Sequence, residues 1–373
     1  MLTIQPGHGR LIVNSFQERR ISRRCLYFCE DQLIFKCHAG VWREDIILED
    51  PQVLACHDTV GLRDGSLVRL DASFTDLYIE CLYRYANRDL THEVDVVDAF
   101  SGVLDILVKS KEHADPAIPT SICGLPTIHF DWAILFDNSD ERPPRRRHHD
   151  LPSWSWCGWK NAISSKENSL TQEELLEFGR CQTWIRWYLH GTSRVDGSKH
   201  IVCFTPEQPA PDNSLFPPFK FPPMADCLTT SLDLAVAHEV CRSPFGAILH
   251  FATLTVDLRL FPASSGKLAS YYSIGKEPTK ALGYIQLDEP YFIPRPLSLY
   301  RFLALSVAGR QNIKSYHYAG VLDNPDACEA YNVMMVDIPQ TDRMAVQRID
   351  LGIIFRAALD SDPGAEWREV WLR

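Results

Sequence analysis

The sequence contains no apolar run of about 18 residues, the length that a bilayer-spanning helix requires. Its longest apolar pieces, such as Ala247–Leu249 with Phe251, are the size of a core strand. It does not open with a charged stretch followed by an apolar segment, so no secretory signal is expected. Cys-x-x-Cys pairs are missing although there are 12 cysteines. Scattered cysteines without paired spacing read as reduced, buried thiols rather than a disulfide framework or a zinc site. The crowded set Cys25, Cys29, Cys37, His38, Cys56 and His57 falls under the same reading. An excess of positive charge is also missing. The net charge of −10 makes phosphate backbones and anionic lipid poor default partners. The one basic run, Arg145-Arg146-Arg147-His148-His149, reads as a solvated loop. There is no Gly-x-Ser-x-Gly elbow and no phosphate-binding loop. Gly7-His8-Gly9 lacks the third glycine and a preceding strand.

What is present is an ordinary globular composition, 45% hydrophobic and 23% charged. Ser22–Phe28 and Gln32–Cys37 read as a hairpin turning at Glu30-Asp31, with Gly40 closing the second strand. From Ser73 an apolar stripe of Leu77, Ile79, Leu82, Tyr83 and Ala86 predicts a helix. A second helix is expected from an N-cap at Thr91, with Glu93 and Asp95 in its first turn. Its buried face would hold Val94, Val97, Ala99 or Phe100, Leu104 and Leu107. A third runs through Phe130–Phe136. Residues 137–150 and 160–172 read as loops. Thr183–Tyr188 reads as a strand. Seven prolines between Pro206 and Pro223 make 205–225 an irregular linker. The last third alternates strands and turns: 248–256, 301–306, 331–336, 345–354 and 367–372. The expected class is α+β: N-terminal strands, a helical segment, then a β-rich, mainly antiparallel part forming a sheet or open barrel. The expected divisions are 1–50, 51–160 and 161–373.

Four segments stand out in order along the chain. The first is Ser15-Phe16-Gln17-Glu18-Arg19-Arg20-Ile21-Ser22-Arg23-Arg24-Cys25-Leu26-Tyr27-Phe28. The second is Tyr85-Ala86-Asn87-Arg88-Asp89-Leu90-Thr91 with Glu93, Asp95, Ala99 and Gly102. The third is Gly124-Leu125-Pro126 leading to Trp132-Ala133-Ile134-Leu135. The fourth is Leu151-Pro152-Ser153-Trp154-Ser155-Trp156-Cys157-Gly158-Trp159. Together they resemble the closing edge of the fungal heterokaryon-incompatibility (HET) domain and the region that follows it. The matching patterns are "QE-R-x-LS-x-R", "Y-x-x-R-x-LT" and "APSWSWAS". Asn14 stands where the family has a tryptophan, and Ile12 where it has an arginine. Nothing resembles the family's opening blocks, so the chain is expected to be a back portion lacking most of the signature domain. An exposed apolar surface is then expected around Leu26, Phe28, Leu33 and Phe35.

The resemblance implies a cytoplasmic protein of self/non-self recognition and cell-death signalling. It would act through protein partners, without nucleic acid, membrane or cofactor, and without catalysis in this form. The HET domain itself resembles Toll/interleukin-receptor-like domains, some of which cleave NAD with a glutamate. Glu18 is therefore the candidate catalytic residue of the alternative reading, an NAD-cleaving or nucleotide-binding remnant. The family-motif residues are Gln17, Glu18, Arg88, Leu90, Thr91, Asp95, Trp154, Ser155 and Trp156. Gln17 and Glu18 also fit a hydrogen-bonding knot. Arg88 and Asp95 fit an ion pair across a helix start. The spaced tryptophans fit packing between layers.

Overall fold

A computed structural model describes residues 2–4, 24–28, 33–37, 40–44, 73–86, 88, 90, 92–111, 120–136, 145–147, 151–160, 170–192, 199–203, 248–262, 271–287, 294–295, 298–308, 329–337 and 345–373. The class is α+β, with helices packed beside a large antiparallel sheet. Gln17, Glu18, Thr91, Glu30-Asp31 and the 205–225 linker lie outside the described residues.

The first strands are β1 (Leu2–Ile4), β2 (Arg24–Phe28), β3 (Leu33–Cys37) and β4 (Gly40–Arg43). They form a sheet in sequence order, β1 parallel to β2 and the rest antiparallel. Gly40 opens β4 rather than ending the chain's pairing. The register sets Leu26 opposite Phe35 and Phe28 opposite Leu33. Leu26, Leu33 and Phe35 are half-buried, while Ile34 is buried. The apolar surface expected there is therefore partly covered.

Helix α1 (Phe74–Ala86) buries Phe74, Leu77, Tyr78, Cys81, Leu82 and Tyr85, the spacing of one helical face. Tyr83, expected in that stripe, is 50% exposed, because it lies a third of a turn off the face. A short 3-10 turn at Glu93–Asp95 leads into α2 (Val96–Lys111). His92 precedes that turn as its cap, with no side-chain bond. The buried face of α2 is Val96, Phe100, Val103, Leu104, Leu107 and Val108. Val94, Val97 and Ala99, expected inside, are half-buried. A two-residue hairpin, β5 (Ser121–Ile122) and β6 (Leu125–Pro126), precedes α3 (Phe130–Ala133), which is shorter than the sequence suggested. β7 (Arg145–Arg146) pairs with β8 (Trp159–Lys160), so part of each expected loop is strand. Next comes α4 (Gln172–Glu177). It opens on a capping box in which Thr171 Oγ1 accepts from Glu174 N and Thr171 N donates to the Glu174 carboxylate.

The remaining strands are β9 (Tyr188–Thr192), β10 (Lys199–Cys203), β11 (Ile248–Pro262), β12 (Tyr271–Gly275), β13 (Gly283–Gln286), β14 (Tyr300–Val307), β15 (Ala330–Val336) and β16 (Arg348–Phe355). A short helix α5 (Arg356–Asp360) leads to β17 (Glu366–Leu372). β9 begins where the expected strand 183–188 ends. Strands pair in the order β11-β12-β13-β16-β15-β14, and β14 returns to pair with β11. Two three-stranded meanders thus meet along both edges and close a six-stranded antiparallel barrel, where the sequence had left an open one possible. Closure needs close backbone approach where the meanders meet. At Gly283 an added Cβ would stand 2.3 Å from Ile353 O.

β11, at 15 residues, outlasts the barrel. Its C-terminal part pairs β12 and β14, and its N-terminal part lies between β9 and β17. Thr255 pairs with Leu303 on one edge and Glu366 on the other. A strand covered on both faces needs no polar alternation, which explains its nearly continuous burial. One core runs from Phe74 and Phe100 through Trp154 and Trp156 to Phe302 and Ile354, so helices and barrel share it.

Candidate functional site

The family-like segments meet where the helices face the barrel. The β5–β6 hairpin turns through Cys123 (φ 47°) and Gly124 (φ 82°), two consecutive left-handed residues as a tight hairpin requires. The turn points the Gly124 carbonyl inward, where it accepts from Tyr78 Oη at 2.9 Å and Trp156 Nε1 at 3.0 Å. Only glycine fits here. A Cβ would lie 2.7 Å from the Trp156 ring, quite apart from the positive φ. Ser155 Oγ donates to Cys123 O at 2.6 Å and accepts from Cys157 N at 3.2 Å, capping a 3-10 turn at Trp156–Gly158. The Trp156 ring meets Phe100 edge-on at 5.0 Å and Tyr85 at 6.0 Å. Trp154 and Trp156 are fully buried, so their faces pack and have none left for a ligand ring.

Three arginines secure this knot through main-chain carbonyls. Arg146 donates to Gly158 O and Leu151 O and lies 5.0 Å over the Trp159 ring. Arg147 donates to Trp159 O and, at 2.6 Å, to Ala86 O at the end of α1, where a cation suits the helix dipole. Arg147 is buried and Arg146 half-buried, so the basic run is structural at these positions rather than solvated. From the barrel, Arg348 reaches Ile134 O at 3.2 Å and Phe136 O at 2.6 Å, with its guanidinium 3.8 Å over the Phe136 ring. Ser153 completes the join. Its N and Oγ both donate to Arg373 O, its Oγ accepts from Arg348 N, and its carbonyl accepts from Trp159 Nε1.

The chemistry available at the hub follows from burial. Burial pushes the Cys157 thiol up to about 11, against the pull of Ser155, Arg146 and Arg147. It is thus a thiol at neutral pH, not a thiolate nucleophile. Burial likewise raises the Tyr78 and Tyr85 phenols well above their ordinary range. Cys81, Cys123 and Cys157 are free thiols. Among the described residues no group of three His, Cys, Asp or Glu could hold a metal ion, and no helix is long and apolar enough to cross a membrane.

Of the sequence-predicted residues, Trp154, Ser155 and Trp156 come together here, and Leu90 packs against the same core. Arg88 and Asp95 both approach Tyr85, but no ion pair between them occurs among the described residues: Arg88 Nε donates to Arg84 O. Just past the end of α1, Arg88 N donates to Tyr85 O at 3.1 Å. Sequence reasoning missed Tyr78, Asp131, Arg147, Ser153 and Arg348. One carried a signal. Asp131 is a lone charge inside an apolar run, where a charge survives only if hydrogen-bonded.

Comparison with models of known families, with curated proteins and with solved structures gives no match.

Proposed function

We propose that this chain is a HET-family protein of self/non-self recognition, linked to cell-death signalling and acting through protein–protein contact. One observation supports the reading. Residues Leu90, Leu125, Trp132, Trp154 and Trp156 come from three family-like segments, yet they pack into one core. Residues that form one core explain why such segments would occur together and in order. The hub fits a scaffolding role: Ser155 is tied to Cys123, and Cys157 is held as a thiol. Recognition would then fall to surfaces that this scaffold holds in place.

Induced expression of the chain in a filamentous fungus tests the proposal, with vital-dye uptake as the readout and a HET front module supplied as a second chain. Dye uptake that needs the chain, and that Trp156→Ala removes, is the expected result. Unchanged viability with and without the front module counts against it. If the purified chain consumes NAD and Glu18→Ala stops the turnover, the NAD-cleaving reading replaces this one.

A further inference from the structure

Asp131 sits in α3 between the buried rings of Phe130 and Trp132. Its Oδ1 accepts from Trp187 Nε1 at 2.7 Å, and Thr183 hydrogen-bonds the same carboxyl. Both partners belong to the sheet side of the molecule. Trp187 leads into β9 and packs on Phe251 of β11 at 4.5 Å, while also meeting Phe130 at 5.1 Å. Thr183 bridges Ser306 of β14. One carboxyl therefore joins the helical layer to two barrel strands.

Among the described residues, the surroundings of Asp131 supply little opposing charge. β6 carries no titratable side chain. His129, in the turn before α3, lies against Phe74 at 5.2 Å. Arg180 and Cys181 belong to the turn at 178–182, and Arg186 is exposed. Arg348 is taken up by Ile134 O and Phe136 O. Asp131 keeps part of its surface toward solvent, yet its carboxyl is closely surrounded. Burial raises it to about 7, against the two hydrogen bonds, which favour the charged form.

We infer that Asp131 is a proton-operated tie between the helical layer and the barrel: the protonated carboxyl holds α3 against Trp187 and Thr183, and ionisation loosens the joint. The tie stands independently of the recognition reading. Its direction follows from linkage. Once the joint opens, the carboxyl ionises near its ordinary value of 3.8. From about pH 4 to about pH 7 the open form has lost its proton and the closed form keeps it. The closed form therefore loses up to about tenfold in relative population per pH unit. Above about 7 both forms are ionised and the loss stops. The joint is tightest in acid.

Hydrogen exchange at residues 130–136 and 183–188 of the full chain tests this, comparing wild type with Asp131→Asn at matched pH. The ratio of their opening constants should grow from about pH 4.5 to about pH 6.5 and level off above about 7. A ratio that does not change with pH overturns the inference. Trp187→Phe removes a donor that favours the charged form, so its levelling point should move to higher pH; an unmoved point contradicts the tie. Should Asp131→Asn fail to fold, a carbon-13 titration of the wild-type carboxyl decides: a midpoint near 7 supports the tie, and one near 4 refutes it.

Discussion

Where β13 crosses β16, the two backbones touch through a missing side chain. At the hub around Trp156, the side-chain hydrogen bonds end mostly on carbonyl oxygens. The barrel closes because largely buried apolar strands find partners on both edges, and Gly283 lets β13 and β16 approach. The hub closes because Tyr78, Trp156, Ser155, Arg146, Arg147 and Arg348 each carry a donor to a specified main-chain oxygen. The barrel thus tolerates exchange among apolar residues, whereas the hub depends on named side chains. Segments of the second kind can resemble a family while the strands around them do not.

Four substitutions separate the two regimes, each read as a shift in the urea unfolding midpoint. Trp156→Ala should cost most, about 3–5 kcal/mol, since it removes a fully buried ring and leaves a cavity. A loss below about 1 kcal/mol would mean that the hub collapses without it and is no core. Arg348→Met keeps the bulk but strands two carbonyl oxygens, a loss of about 2–4 kcal/mol. Gly283→Ala forces β13 from β16 and should cost about 1–3 kcal/mol. Loss of the cross-strand pair of Arg301 and Asp257 by Asp257→Ala should cost under about 1 kcal/mol, because the carboxylate is partly exposed. If that last change proved the largest, surface charge rather than the hub would govern stability.

The same contrast explains what the sequence made legible. β14, β15, β16 and β17 were readable as apolar runs bounded by turn residues, and β11 was readable in its first nine positions. β12 and β13 were not. Tyr271–Gly275 and Gly283–Gln286 are four or five residues long and end or begin in glycine, so neither carries a period. Barrel closure was hidden for a different reason. It depends on β11 meeting β14, a pairing across some 45 residues that no local pattern records. At the hub, the tryptophans were read correctly as packing. Their partners were not, because a carbonyl oxygen is present at every position and leaves no trace in the sequence. Arg146 and Arg147 were misread for the same cause: beside His148 and His149 they look like a solvated run, and only the positions of Gly158 O, Trp159 O and Ala86 O make them internal.

Hydrogen exchange on Arg348→Met tests most directly whether the hub couples helices to barrel. Arg348 belongs to β16 but its hydrogen bonds end on Ile134 and Phe136, so a coupled hub predicts equal loss of protection in α2, at Phe100–Val108, and in β15, at Val333–Met335. Loss confined to β15, with α2 as protected as before, would show that the two regions stand separately and that the hub joins nothing.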